Sequence, residues 1–216
     1  MILNSIGQSF LIRSQNEKAN IPAHINDDMT QKDAPILLND IDMIKYTSKP
    51  VEWHGCLYTS KNIYDELQKQ FNQLSIPVCI LDANVPNKFK LGDKECEITM
   101  FPIKDKVVVF LIKDGYTTNL HTNNLGDFTI FSLSPGLREA IRAGIDVLYI
   151  NDTVFQKDIS ATFVENHPDE ELLEAFVYVV QPLKVIGTTG ATIPQSIREL
   201  CKENEPHWAN NSYKRQ

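Results

Sequence analysis

The sequence predicts an α+β or α/β fold, a sheet sandwich with helices outside, and three observations predict it. Apolar runs of strand length recur along the chain, rich in β-branched residues and bounded by Gly, Asn, Asp or Pro. Helical patterns interrupt them at a few well-marked places. The order runs strands first, then a helix, a long antiparallel set, and finally strand–helix alternation, which is the order of a layered sandwich. The 216 residues, 42% of them hydrophobic and 23% charged, suffice for one domain with its own core, and neither a repeat nor a linker divides residues 1–216.

The opening residues "MILNSIGQSFLIRSQ" read as a first pair of strands, and "IDMIKY" as another strand. "SKNIYDELQKQFNQL" then places Ile63, Leu67, Phe71 and Leu74 on one stripe, with Ser60 as N-cap. "PVCILD" and "CEITMFPI" are the next strands, the second introduced by a turn signal at Gly92-Asp93. "KVVVFLIKDGYTTNLHT" reads as a hairpin whose Asp114-Gly115 pair suits a type I′ turn. A short helix starts at Pro135, and the strand "IDVLYIN" follows it. "HPDEELLEAFVYVV" has the clearest helix start in the chain. Pro168 takes the first helical position, acidic residues fill the first turn, and Leu172, Leu173, Phe176, Val179 and Val180 form an apolar face. The strand "LKVIGT" and a helix in "TIPQSIRELCKE" complete the pattern.

Composition removes several classes of function. The formal net charge is −7, which weighs against strong binding to DNA or RNA, where neutralising phosphates dominates affinity. No apolar run approaches the roughly 20 residues of a membrane helix. The N-terminus lacks the basic segment and cleavage site of a secretory signal, so a cytoplasmic protein, or a nuclear one in a eukaryote, is expected. Cys56, Cys79, Cys96 and Cys201 are widely spaced with no C-x-x-C pair, so zinc fingers and thioredoxin-type motifs are excluded and reduced thiols are expected. There is no G-x-S-x-G elbow, Walker A loop or G-x-G-x-x-G, and "GTTGAT" near residue 190 reads as a tight turn before a helix.

The stretch "TSKPVEWHG" at 47–55, together with the order of the elements, resembles the metallo-β-lactamase fold, and in particular its Artemis/Apollo-type DNA cross-link repair branch. The resemblance implies a four-layer αββα sandwich. In that branch the strand before the active-site loop ends in T/S-H-x-H-x-D-H. Laid over it, Ser48 and Pro50 stand at the first two histidines, Glu52 at the aspartate and Trp53 at the third histidine, with His54 one place beyond. "LYTSKNIYDEL" is similar to the family's next strand and helix. By the same register Asp105 stands at the next histidine, and Asn124 or Asp127 at the metal-bridging aspartate. Asp152 and Thr153 match the strand "Y-L-D-T-T-F", and Asn166 or His167 stands at the last histidine. The family's β-CASP cap has no counterpart in the chain.

Hydrolysis in this family uses one or two zinc ions that activate water. Proline has no ligand atom, the tryptophan indole only donates, and serine binds zinc poorly, so three of the loop's positions are chemically disabled. The resemblance therefore implies a scaffold that has lost its metals and acts by binding a protein partner or a second copy of itself, with no cofactor expected. The alternative is a hydrolase, of phosphodiesterase or nuclease type, with a rebuilt site drawn from Glu52, His54, His121, Asp105, Asp127 and His167. Asp105, Asp127 and His167 are its metal candidates, and such a carboxylate-rich set suits Mg²⁺ or Mn²⁺ better than Zn²⁺. A third reading is a small-ligand binder that uses the emptied pocket. Each candidate also has a plainer reading: Asp105 and Asp127 as turn residues, His167 at a helix cap, His121 in the core or on the surface of a strand.

Overall fold

The computed structural model describes residues 2–6, 9–13, 36–39, 56–70, 77–91, 94–104, 107–122, 133–152, 155, 170–187 and 192–202. They form two sheets. The first joins β1 (Ile2–Ile6), β2 (Ser9–Arg13), β3 (Ile36–Leu37), β4 (Leu57–Thr59) and β5 (Val78–Ile80) in that spatial order, with α1 (Lys61–Gln70) between β4 and β5. The second begins with β6 (Pro86–Leu91), β7 (Lys94–Lys104), β8 (Val107–Lys113) and β9 (Thr118–His121). It continues through α2 (Pro135–Ala143), β10 (Val147–Ile150), α3 (Glu170–Val180), β11 (Lys184–Gly187) and α4 (Gln195–Glu199). Its strand order is the plain sequence β11-β10-β9-β8-β7-β6.

Both sheets change character along their width. β1, β2 and β3 pair antiparallel, whereas β3, β4 and β5 are parallel. Likewise β6 to β9 are antiparallel, and β9, β10 and β11 are parallel. Antiparallel neighbours can be joined by a turn, whereas parallel ones need a crossover, which α1 supplies between β4 and β5, α2 between β9 and β10 and α3 between β10 and β11. The predicted "PVCILD", "CEITMFPI", "KVVVFLIK" and "IDVLYIN" strands are all present.

β8 is buried along both faces, and the period of two divides it cleanly. Val109 and Leu111 join Leu120, Leu148 and Ile150 against α2, α3 and α4, where Leu137, Leu173, Phe176, Val177 and Ile197 complete one apolar cluster. Phe110 and Ile112 point to the opposite face, which is buried as well. Two contacts tie the sheets together there: the Val108 N–H donates to the Asn39 carbonyl at 3.1 Å, and the Tyr58 and Phe89 rings lie 6.0 Å apart.

Sequence signals at the helix ends hold. The Ser60 hydroxyl accepts from the Ile63 N–H at 3.2 Å at the start of α1, with Ile63 and Leu67 buried below. At α2 the Ser134 hydroxyl accepts from the Leu137 N–H at 3.2 Å and donates to Asn84 Oδ1 at 3.2 Å. Ser134→Ala removes both bonds and is expected to lower unfolding free energy by about 1–2 kcal/mol in urea titration. α3 buries Leu173, Phe176, Val177 and Val180, so Val177 joins the predicted face while Leu172 and Val179 pack at its border.

The structure corrects two readings of the strand pattern. "PNKFKL" was not expected as a strand, because its lysines and leading proline carry no apolar alternation, yet it forms β6 at a sheet edge, the place where proline and lysine are tolerated. The hairpin between β8 and β9 turns on Gly115-Tyr116 rather than on Asp114-Gly115. Only Gly115 has positive φ there, at 84°, whereas a type I′ turn needs it at both central residues, so the turn is not type I′. Asp114 Oδ1 instead accepts from the Tyr116 and Thr117 N–H groups at 3.1 and 2.8 Å. Burial acts upward on Asp114, but these bonds and the Thr117 hydroxyl outweigh it and hold the carboxyl below its usual range. "IDMIKY", Phe71, Leu74, Gly92-Asp93 and Pro168 lie outside the described residues.

Candidate functional site

In sheets with parallel strands, sites collect beyond the carboxyl ends of the strands, where crossover chains leave the sheet and backbone groups lose their ladder partners. Here those ends carry several of the buried polar residues among the described ones. Asn39 follows β3, Thr59 ends β4, His121 and Thr122 end β9, Asn151 and Asp152 follow β10, and Gly187 ends β11. Asn39, His121, Thr122, Asn151 and Asp152 are each at most 1% exposed, so this is an interior polar set and not a solvated rim.

Each member is positioned by the strand before it. The Thr59 hydroxyl donates to the Leu38 carbonyl at 3.0 Å, across the parallel pair β3–β4. The Thr122 N–H continues the ladder to the Tyr149 carbonyl at 2.9 Å. The side-chain amide of Asn39 and the hydroxyl of Thr122 make no hydrogen bond among the described residues. Such groups cost about 1–3 kcal/mol each when buried without a partner, so their hydrogen bonds must come from outside the described residues. They are also near one another in the register. Asn39 takes its backbone bond from Val108, and Thr122 is one step beyond the pair Phe110↔His121.

His121 pairs with Phe110 on one side and Tyr149 on the other, and its ring stacks on Tyr149 with centroids 4.2 Å apart and planes 10° from parallel. Full burial lowers its pKa to about 3, so the imidazole is neutral at physiological pH. Burial, and then the Asp114 carboxylate, push the Tyr149 phenol up. Asp152 lies against β11, close enough that a Cβ built on Gly187 would meet its carboxylate. Its backbone carbonyl accepts from the Phe155 N–H at 3.0 Å.

Of the residues named from sequence, Asp152 and His121 fall here. Ser48, Pro50, Glu52, Trp53, His54, Asp105, Asn124, Asp127, Thr153, Asn166 and His167 lie outside the described residues. Asn39, Thr122, Asn151 and Gly187 were not singled out. The available signal was simple, a polar residue directly after an apolar strand, as in "ILLN" and "VLYIND". The strand beside β4 is β3, which ends well upstream of Thr47, and the residues after Asn39 read Asp40-Ile41-Asp42, two carboxylates at the spacing of an H-x-H pair.

The donor set at the described strand ends does not fit a zinc pair. An amide and a hydroxyl are poor zinc ligands, the one imidazole is stacked face to face on Tyr149, and the one carboxylate folds toward β11. Among the described residues no three His, Cys, Asp or Glu side chains gather around one point.

No known sequence family matches the chain, and no curated protein does. Solved structures do. A variant of CmlA, a diiron β-hydroxylase from Streptomyces venezuelae, aligns with TM-score 0.52 at 12% identity over 86% of this chain and 45% of its own. Unliganded yeast PDE1 aligns with TM-score 0.50 at 10% identity over 77% of this chain and 62% of its own. The metallo-β-lactamase-fold protein YhfI from Bacillus subtilis aligns at 11% identity over 90% of this chain and 84% of its own, with TM-score 0.42. The chain thus spans less than two thirds of CmlA and of PDE1. The fold is the metallo-β-lactamase fold. Likeness at this identity reaches the fold and does not single out the cross-link repair branch.

Proposed function

We propose that this chain is a metallo-β-lactamase-fold protein that acts by binding a protein partner, a second copy of itself included, and not by metal-dependent hydrolysis. The observation that carries the reading is the chemistry of the strand ends. At the described strand ends the chain holds a buried amide at Asn39, a buried hydroxyl at Thr122 and a neutral imidazole stacked on Tyr149, which is not a zinc-binding set. The sequence of the loop supports it, with Ser48, Pro50 and Trp53 in the register of the family's histidines. The net charge of −7 favours protein over nucleic acid as the partner. Among the described residues no helix is long and apolar enough to cross a membrane.

One observation favours a second reading. In sequence Asp40 and Asp42 come two and four residues after Leu38, and the buried Asp152 follows β10, so the chain offers oxygen ligands of the kind a hard cation such as Mg²⁺ or Mn²⁺ takes. In that reading the protein is a phosphodiester hydrolase of the nucleic-acid-processing kind. Elemental analysis of untagged protein separates the two. The binding reading expects far less than one Zn, Mn or Fe per chain and no phosphodiester cleavage in added Mn²⁺, with self-association visible in sedimentation or a partner held at defined stoichiometry. One metal per chain, lost together with phosphodiesterase activity in Asp40→Ala, Asp42→Ala, Asp105→Ala or Asp127→Ala, would establish the hydrolase instead.

A further inference from the structure

Two of the four cysteines have been brought together by the first sheet. Tyr58 of β4 is paired with Cys79 of β5, so the two side chains share a face. Cys56, two residues before Tyr58, presents its side chain to the same face, diagonally across from Cys79 on the neighbouring strand, and its thiol donates to the Leu57 carbonyl at 3.9 Å. Both thiols are half-buried, β5 is the outer strand of the described sheet, and the Tyr58 ring beside them leans toward Phe89. Burial, then the nearby Cys79, push the Cys56 thiol up, as two neighbouring acidic groups should behave. Cys96 and Cys201 are buried elsewhere, in β7 and after α4.

We propose that Cys56 and Cys79 form a dithiol site that closes reversibly to a disulfide across β4 and β5 on exposure to a disulfide oxidant such as glutathione disulfide. The Cys79 thiolate, on the outer strand, attacks one sulfur of the oxidant. The oxidant's S–S bond breaks, and one glutathione leaves as a thiolate that takes up a proton. The Cys56 thiolate then attacks the Cys79 sulfur and expels the second glutathione, which is protonated in turn. Two protein thiols are oxidised, and one glutathione disulfide is reduced to two thiols. The closed bond ties the edge strand β5 to β4 and rigidifies the sheet edge.

The test uses the full chain, incubated with glutathione disulfide, alkylated, digested and mapped by mass spectrometry. The expected result is a peptide pair joined through Cys56 and Cys79, with Cys96 and Cys201 still alkylatable after unfolding, and recovery of both thiols in dithiothreitol. Cys56→Ser is expected to leave Cys79 carrying a stable glutathione adduct, because nothing remains to resolve it. Wild-type protein that accumulates unresolved adducts on Cys56 or Cys79, that links either one to Cys96 or Cys201, or that does not react at all would overturn the proposal.

Discussion

On acidification from about pH 6.5 to about pH 3, His121 alone is expected to remove about 4–5 kcal/mol of stability. The imidazole is fully buried between Phe110 and Tyr149, and burial lowers its pKa to about 3 from an unfolded value of 6.5. Above pH 6.5 both states carry it neutral, and its contribution is complete. Between the two values the unfolded chain binds a proton that the folded chain refuses. Stability then falls by about 1.4 kcal/mol per pH unit as pH drops, and the loss ends once the folded form protonates as well. Asp114, whose carboxyl is held low by its turn, adds loss in the same direction, so the wild-type slope is a sum. The clean readout is a difference. His121→Phe keeps a flat ring against Tyr149 and removes the titration, so its unfolding free energy between pH 6.5 and pH 3 should decline less steeply than wild type by about 1.4 kcal/mol per unit. Equal slopes in the two proteins would show that the imidazole is not held neutral.

Much of the architecture was legible in the chain because it rests on local rules. Strands with β-branched cores, the Ser60 cap and the proline at the start of α2 each signal through nearest neighbours, and they occur where those signals place them. What was not legible depends on pairing. β6 carries lysines and a proline and becomes a strand only because β7 supplies a partner on one side. β3 is two residues long, and its neighbour is decided by sheet order rather than by its own sequence. The site behaves the same way. Asp152 was found because it sits in a recognisable strand end. Asn39 and Thr122 become notable only when their burial and their lack of partners among the described residues are known, and sequence carries neither. Sequence alone leaves His121 open between core and surface, since alternation gives a side chain a face without saying which face is buried. The register settles it by setting the ring beside Phe110 and Tyr149.

Gly187→Ala is expected to cost about 3–5 kcal/mol, a large penalty for one methyl group at the end of a strand, and the reason is Asp152. A Cβ on Gly187 would collide with the Asp152 carboxylate and would sit only 2.9 Å from the Asp152 Cβ. A flexible surface side chain would swing away at little cost, but Asp152 is 0% exposed and has no solvent to swing into. The methyl group therefore either strains the β10–β11 pair, which is parallel and registered at Ile150↔Gly187, or displaces a buried carboxylate from its interactions. Overpacking alone costs about 1–3 kcal/mol, and leaving a buried polar group unsatisfied adds about 1–3 kcal/mol. A double-mutant cycle isolates the cause. Asp152→Ala by itself should destabilise through the groups its carboxylate leaves behind, yet in that background the added cost of Gly187→Ala should fall to about 1 kcal/mol, because the colliding atoms are gone. Additive costs in the cycle would mean that Gly187 is required for some reason other than the approach of Asp152. Coupled costs would mean that β11 is glycine-terminated in order to seat a carboxylate at the centre of the strand-end site.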